Sequence, residues 1–199
     1  MKRLIWLVAL NLLLASGCRD RPIDSIGRAD SVSDQSTQIV ADSTITEDER
    51  SKLLAAKDAL FAQLSGRLME AITKDGPAAA IEVCRVEAKS IASAVGEGSN
   101  VKIGRTGVRL RSADNQSPAW AKRLVDDKVD TPVFARLSNR HPIALLPIKL
   151  QSQCLICHGS PEQLAPGVKE QLAKLYPDDQ AIGFTEGELR GWFWVELLE

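Results

Sequence analysis

The first half of the folded region spaces its apolar residues as an amphipathic α-helix does. Thr46 and Glu49 have the spacing of a capping box, in which a hydroxyl and a glutamate three residues later satisfy free backbone N–H groups. A helix is therefore expected to start at Thr46 and to run to about Lys74. Its apolar positions recur every three or four residues, at Leu53, Leu60, Leu64, Leu68 and Ile72.

A second helix is expected directly after the first. Asp75 and Gly76 break the pattern, and Pro77 suits the first turn of a helix because proline lacks an N–H group. Apolar positions then continue at helical spacing to Val95, and Gly96 begins the glycines that end the helix. These positions are Ala80, Ile81, Cys84, Ala88, Ile91 and Ala92.

Beyond residue 100 the pattern changes to the alternation that is typical of β-strands. The expected strands, the first of which is a strand or a hairpin, are residues 101–110, 131–137, 142–150 and 191–198. Short helices are expected at residues 118–127 and 167–175. Pro142 and Pro147 indicate an edge strand or a bulge. Helices followed by strands predict an α+β fold, with N-terminal helices packed on an antiparallel sheet.

The N-terminus has the pattern of an export signal. Two basic residues precede an apolar stretch over residues 4–14, and small residues follow at 15–17. The apolar stretch is too short for a membrane-spanning helix. Cys18 comes next, which resembles a bacterial lipoprotein signal whose cysteine is acylated. The alternative is an ordinary signal peptide with an incidental cysteine.

Three segments are therefore expected: a signal peptide at 1–17, a lipidated Cys18 with a disordered tether at 18–45, and one domain at 46–199. The tether is rich in Ser, Asp, Thr and Gln and has no aromatic residue, so it cannot bury enough apolar surface to fold. Arg19 is compatible with an outer-membrane location facing the periplasm.

Overall composition sets limits on partners. The formal net charge of −1 gives no positive field for binding nucleic acid. The hydrophobic share of 44% and charged share of 26% are ordinary for a soluble globular domain.

Cys154, Cys157 and His158 form a CxxCH motif, the spacing at which c-type haem is attached. Two thiols add to the haem vinyl groups, and the adjacent histidine becomes an axial iron ligand. A CxxC redox pair would follow a thioredoxin-like strand, and a zinc site would need two more ligands. One covalent haem c is therefore the expected cofactor.

The remaining cysteine, Cys84, has no cysteine left to pair with. It is either a buried, inert thiol on the core face of the second helix or a second iron ligand, since thiolate ligates haem. Met69 and His141 are the other candidates for that position, although Met69 lies off the main apolar stripe and His141 precedes a strand.

Beyond these motifs, the chain over about residues 50–199 resembles a family of exported, single-haem c-type proteins with a PAS-like fold. The family includes stand-alone periplasmic proteins and sensor domains of bacterial signalling proteins. The resemblance rests on Val83-Cys84, Gly104-Arg105-Thr106, Arg109-Leu110-Arg111, Asn115, Pro118, Trp120, Pro142-Ile143, the segment Cys154 to Gly159, Tyr176-Pro177-Asp178-Asp179 and the segment Gly187 to Gly191. Ser112-Ala113 and Phe184 depart from the usual residues.

This resemblance implies that Cys84 ligates the haem iron opposite His158. The arginines within the resembling segments are candidate partners for the haem propionates, because a guanidinium suits a carboxylate. They are Arg105, Arg109, Arg111 and Arg190. Four aromatic residues supply apolar walls to the haem or to the ordinary core, namely Trp120, Trp192, Phe193 and Trp194.

Three roles follow for such a haem. The favoured role is a redox or small-ligand sensing module, which would need a separate signalling partner. The alternative is a periplasmic electron-transfer cytochrome. An enzyme such as a peroxidase is the least favoured, since it needs an acid-base residue at an open iron face and only His141 could serve.

Overall fold

The computed structural model describes residues 38–198, and the predicted signal peptide and Cys18 lie outside this part of the chain. Its helices are α1 (Glu47–Asp75), α2 (Pro77–Val86), α3 (Ala88–Ser99), α4 (Lys122–Asp126), α5 (Leu155–His158) and α6 (Val168–Leu175). Its strands are β1 (Val101–Gly107), β2 (Val133–Arg136), β3 (Pro142–Lys149) and β4 (Leu189–Leu197). The predicted α+β class is confirmed.

Helix α1 begins where its capping residues predict. The Thr46 hydroxyl accepts a hydrogen bond from the Glu49 N–H at 3.2 Å, and the Thr46 N–H donates to the Glu49 carboxylate at 2.7 Å. The expected second helix is instead two helices, α2 and α3, with a turn at Glu87. Arg67 of α1 donates to both carboxylate oxygens of Glu87 at 2.8 Å, so a tertiary contact holds this junction.

The four strands form one antiparallel sheet in the order β1-β4-β3-β2. The prolines of β3 indicated an edge strand or a bulge, and the edge strand is wrong, since β3 lies between β4 and β2. Its prolines are tolerated because Pro142 is the first strand residue and Pro147 lies beyond the end of the short β2. The expected bulge is present, at Ile148 and Lys149.

The two faces of the sheet pack against different partners. Side chains alternate along β4, so Phe193 and Val195 face a core with α1, while Trp192 belongs to the core on the other face. Helix α1 contributes Leu53, Ala56 and Leu60 to the core that it forms with the sheet. Strand β1 joins this sheet beside β4 and forms no local hairpin.

The folded region extends to the N-terminal side of Thr46. Ile39 forms a β-bridge with Leu137, and the Ser43 hydroxyl accepts from the backbone N–H of Arg136 at 2.9 Å. Residues 38–45, expected as part of a disordered tether, therefore contact the sheet. Within residues 38–198, no helix combines the length and the apolar character needed to cross a membrane. The PAS-like character of the sheet stays a prediction.

Candidate functional site

A cavity of about 340 Å³ brings most of the predicted site residues together. It is lined by Cys84 from α2, by Arg105 from β1 and by the CxxCH segment. A cavity of this size is within the range of small-molecule sites. Its walls are largely apolar, with Phe61, Leu68, Ile72, Ile81, Ile148, Leu150 and Ile156 among the lining residues.

The CxxCH motif occupies a 3₁₀ turn that continues into the short helix α5. All three of its functional side chains, those of Cys154, Cys157 and His158, line the cavity, and both thiols are free. Gly159 follows because a Cβ atom there would stand 2.7 Å from the Leu155 carbonyl oxygen. Burial raises the pKa of Cys157 to about 11, so this thiol is protonated at neutral pH.

The imidazole of His158 is held in one tautomer. Its Nδ1 atom lies 2.7 Å from the carbonyl oxygen of Ala181, which can only accept, so Nδ1 carries the proton. Arg111 Nη2 lies farther from the same nitrogen, at 3.4 Å. The Nε2 atom therefore keeps its lone pair, and a ring N–H bonded to a carbonyl is the usual support of a metal-ligating histidine.

The environment of His158 also keeps the ring neutral. Burial, together with the nearby positive charges of Arg111 and Arg190, holds the pKa of His158 well below its usual value. Neutral imidazole is the form that ligates metals. The backbone carbonyl of His158 accepts from the Phe184 N–H at 3.0 Å, so residues 181–184 hold both the ring and the backbone of this histidine.

Cys84 faces the same cavity from α2. It is close enough to Arg105 and Cys157 for its charge to interact electrostatically with both groups. The structure thus brings the leftover cysteine of the sequence to the CxxCH motif. Among the other expected ligand candidates, Met69 lines the cavity, while His141 does not and instead bonds Glu196 at 2.8 Å.

Two arginines bring positive charge to the cavity without a carboxylate partner among residues 38–198. The side chain of Arg105 makes no hydrogen bond or ion pair with residues 38–198, and burial lowers the pKa of its guanidinium. Arg190 donates to the backbone carbonyl of Arg109 at 3.0 Å, and burial lowers its pKa to about 10. Because a buried charge is costly unless it is paired, these side chains suit an anionic ligand.

The other two predicted arginines are engaged elsewhere. Arg109 does not line the cavity: its guanidinium lies 3.8 Å from the ring centre of Phe184. Arg111 does line it, but Nε donates to Asp179 at 3.0 Å and Nη2 donates to the Cys157 carbonyl at 2.6 Å. Arg111 thus supports the CxxCH segment, a function that sequence reasoning missed.

The predicted aromatic walls belong to the ordinary core. Trp120 and Trp192 pack on the sheet face that is remote from α1, Trp194 packs against the same cluster, and Phe193 packs in the α1 core. Sequence reasoning also missed Phe61, which lines the cavity from α1. The helical spacing of Phe61 from Leu68 and Ile72, which lie on the same face of α1, could have predicted its position at the cavity.

The donor set of the cavity fits a haem better than a bare metal ion. Within residues 38–198, no group of three or more His, Cys, Asp or Glu side chains could hold a metal ion. A haem iron needs only axial ligands from the protein, since the porphyrin supplies the other four. The two thiols match the haem vinyl groups, and the neutral imidazole matches the iron. The apolar walls match the porphyrin ring, and the two unpaired guanidiniums match the propionates.

Fold and site together define an α+β domain that presents a CxxCH motif and a further cysteine to one cavity. The chain belongs to the Tll0287-like family, whose model matches residues 27–197. Its structure is similar to that of the cyanobacterial heme-protein Tll0287, with a TM-score of 0.56 and 19% sequence identity over 78% of this chain and 98% of that one. At this identity the likeness shows a shared fold. No functionally curated protein matches the chain.

Proposed function

We propose that this protein binds one haem of the c type, attached through thioether bonds to Cys154 and Cys157. The observation that carries the proposal is the single cavity that both thiols share with His158, whose Nε2 atom is free to ligate iron. The family membership and the haem-containing structural relative support it. Arg105 and Arg190 would bind the propionates, and Arg111 would hold the attachment segment.

His158 and Cys84 are the proposed axial ligands. When bound, haem supplies an iron that changes oxidation state and accepts small ligands. A thiolate ligand donates electron density to the iron and lowers its potential, so it favours the ferric state. Cys84 therefore makes the protein suited to sensing a change of redox state or a small ligand, by way of a change in iron ligation.

Covalent attachment is tested by expressing the full chain in a bacterium that matures c-type cytochromes. We expect the purified protein to gain the mass of one haem and to keep it after denaturation. Changing both Cys154 and Cys157 to Ala should abolish that gain, whereas Cys84→Ala should keep it and alter the oxidised absorption and EPR spectra. A parent chain without bound haem would refute the proposal, and unchanged spectra in Cys84→Ala would refute its ligand assignment.

A second function, electron transfer in the periplasm, is favoured by one observation. Two apolar side chains that line the cavity, Phe61 and Met69, are 54% and 55% exposed, so the cavity reaches the surface. A haem edge there would be accessible to a redox partner. Fast electron exchange with a soluble cytochrome, without a change of ligand, would favour this function over sensing.

We propose that the protein has no enzymatic role. We also propose that it is located outside the cytoplasm. His141, the one acid-base candidate considered from the sequence, is bonded to Glu196 and does not line the cavity. Export and a lipid anchor at Cys18 stay part of the proposal on the sequence pattern alone. Incorporation of labelled fatty acid into the parent, and its loss in Cys18→Ser, would test the anchor.

A further inference from the structure

Met69 has an unusual position for an apolar side chain. It lies on the face of α1 that lines the cavity with Cys84 and His158, yet 55% of it is exposed. Methionine is flexible, with three rotatable bonds. Since its side chain is not packed in the core, it can change its conformation at little cost.

Met69 also completes the set of iron donors in the cavity. The sequence contains two methionines, Met1 and Met69, so within residues 38–198 the thioether donor is unique. Once Cys154 and Cys157 are used for attachment, the lining residues that prefer iron are His158, Cys84 and Met69. His158 and Met69 are neutral ligands, whereas Cys84 is anionic when it ligates.

We propose that Met69 replaces Cys84 as the iron ligand when the haem is reduced. This inference rests on the proposed function. One electron from a one-electron reductant converts the iron from ferric to ferrous. The bond from iron to the Cys84 sulfur breaks, the released thiolate takes a proton from water, and a bond from iron to the Met69 sulfur forms. Thioether ligation favours the ferrous state, because methionine raises the haem potential while thiolate lowers it.

The exchange predicts which oxidation state each variant affects. Met69→Leu should leave the oxidised spectrum unchanged, because Cys84 ligates that state. After reduction with dithionite, it should lose the six-coordinate low-spin signature of the parent in absorption and resonance Raman spectra. Cys84→Ser should show the converse, with an altered oxidised spectrum and a parent-like reduced one.

Carbon monoxide binding gives a quantitative measure of the same exchange. If the thioether occupies the ferrous iron for about nine-tenths of the time, it lowers the apparent affinity for CO about tenfold. Reduced Met69→Leu should therefore bind CO about tenfold more tightly than the parent. The control is Val40→Ala, which changes an exposed apolar residue that does not line the cavity and removes no donor, and it should bind CO as the parent does.

Two failures can be told apart. A parent chain that carries no covalent haem in its mass spectrum overturns the proposed function and this exchange together. Attached haem with a reduced Met69→Leu protein that matches the parent in spectrum and CO affinity overturns the exchange alone. Circular dichroism verifies that Met69→Leu is folded, which is expected because leucine favours helix and the site is exposed.

Discussion

Removing the charge of Arg111, which forms a buried ion pair with Asp179, should destabilise the protein more than removing a charge from an exposed ion pair. Their side chains are 6% and 7% exposed, and Arg111 Nε lies 3.0 Å from the Asp179 carboxylate. The same guanidinium donates to the Cys157 carbonyl at 2.6 Å, so the pair connects the CxxCH segment to the loop after α6. The perturbation is Arg111→Met, which keeps the bulk of the side chain and removes its charge and its donors.

The size of the effect follows from burial. At 3.0 Å and an effective dielectric constant of about 20, Coulomb's law gives roughly 5 kcal/mol of attraction, much of which desolvation offsets. Removing one partner leaves the other charge buried and unpaired, which costs about 3–5 kcal/mol. Asp179 still accepts from the Ala181 N–H at 2.7 Å, so we expect the lower end, about 3 kcal/mol.

Urea unfolding of the full chain, followed by circular dichroism with all variants in the same haem state, measures this free energy. The double variant Arg111→Met, Asp179→Asn removes both charges. Comparing it with the two single variants gives the coupling energy between the two side chains, which should be about 1–3 kcal/mol. The control is Lys122→Met, whose partner Asp126 lies 2.7 Å away in an exposed pair, and its effect should stay within about 0.5 kcal/mol. An Arg111→Met effect as small as that of the control would refute the reasoning.

Three further predictions concern helix α1 and the sheet. Thr46→Ala removes the cap of α1 and should cost about 1 kcal/mol in urea unfolding. Glu49→Gln tests a charge. The side-chain hydrogen bond from Arg136 lowers the pKa of Glu49, so the stabilising effect of the carboxylate is present above the ordinary pKa of a glutamate and is lost as pH falls through the lowered pKa. The stability difference between parent and Glu49→Gln should therefore be larger at pH 7 than at pH 3, and a constant difference would contradict this. Gly104→Ala places a Cβ atom against the Trp194 indole and should destabilise the protein by about 1–3 kcal/mol, as thermal unfolding would show.

The N-terminal helices show how far local pattern reaches. The start of α1 was predicted at the correct residue, because its capping box joins two side chains only three positions apart, Thr46 and Glu49. The division between α2 and α3 was not predicted. It occurs at Glu87, whose contact with Arg67 joins residues twenty positions apart, and apolar spacing carries no information about such a contact.

The arginines show the same limit at the site. All four were equal candidates in the sequence, because each carries the same charge in a resembling segment. The structure separates them by their surroundings: Arg105 and Arg190 face the cavity unpaired, Arg111 is paired with Asp179, and Arg109 stacks away from the cavity. The charge of a side chain determines which groups it can bind, whereas the fold determines which groups lie next to it.

The sequence by itself determined the start of α1, the α+β class and the CxxCH motif, because each depends on residues that lie a few positions apart. The resemblance implied that Cys84 lies opposite His158, and the tertiary structure brings both residues to one cavity. Only the tertiary structure decided that the Ala181 carbonyl sets the tautomer of that histidine. These contacts join α2, α5 and the loop before β4. Their geometry depends on how the whole sheet and its helices pack, which spacing along the chain does not encode.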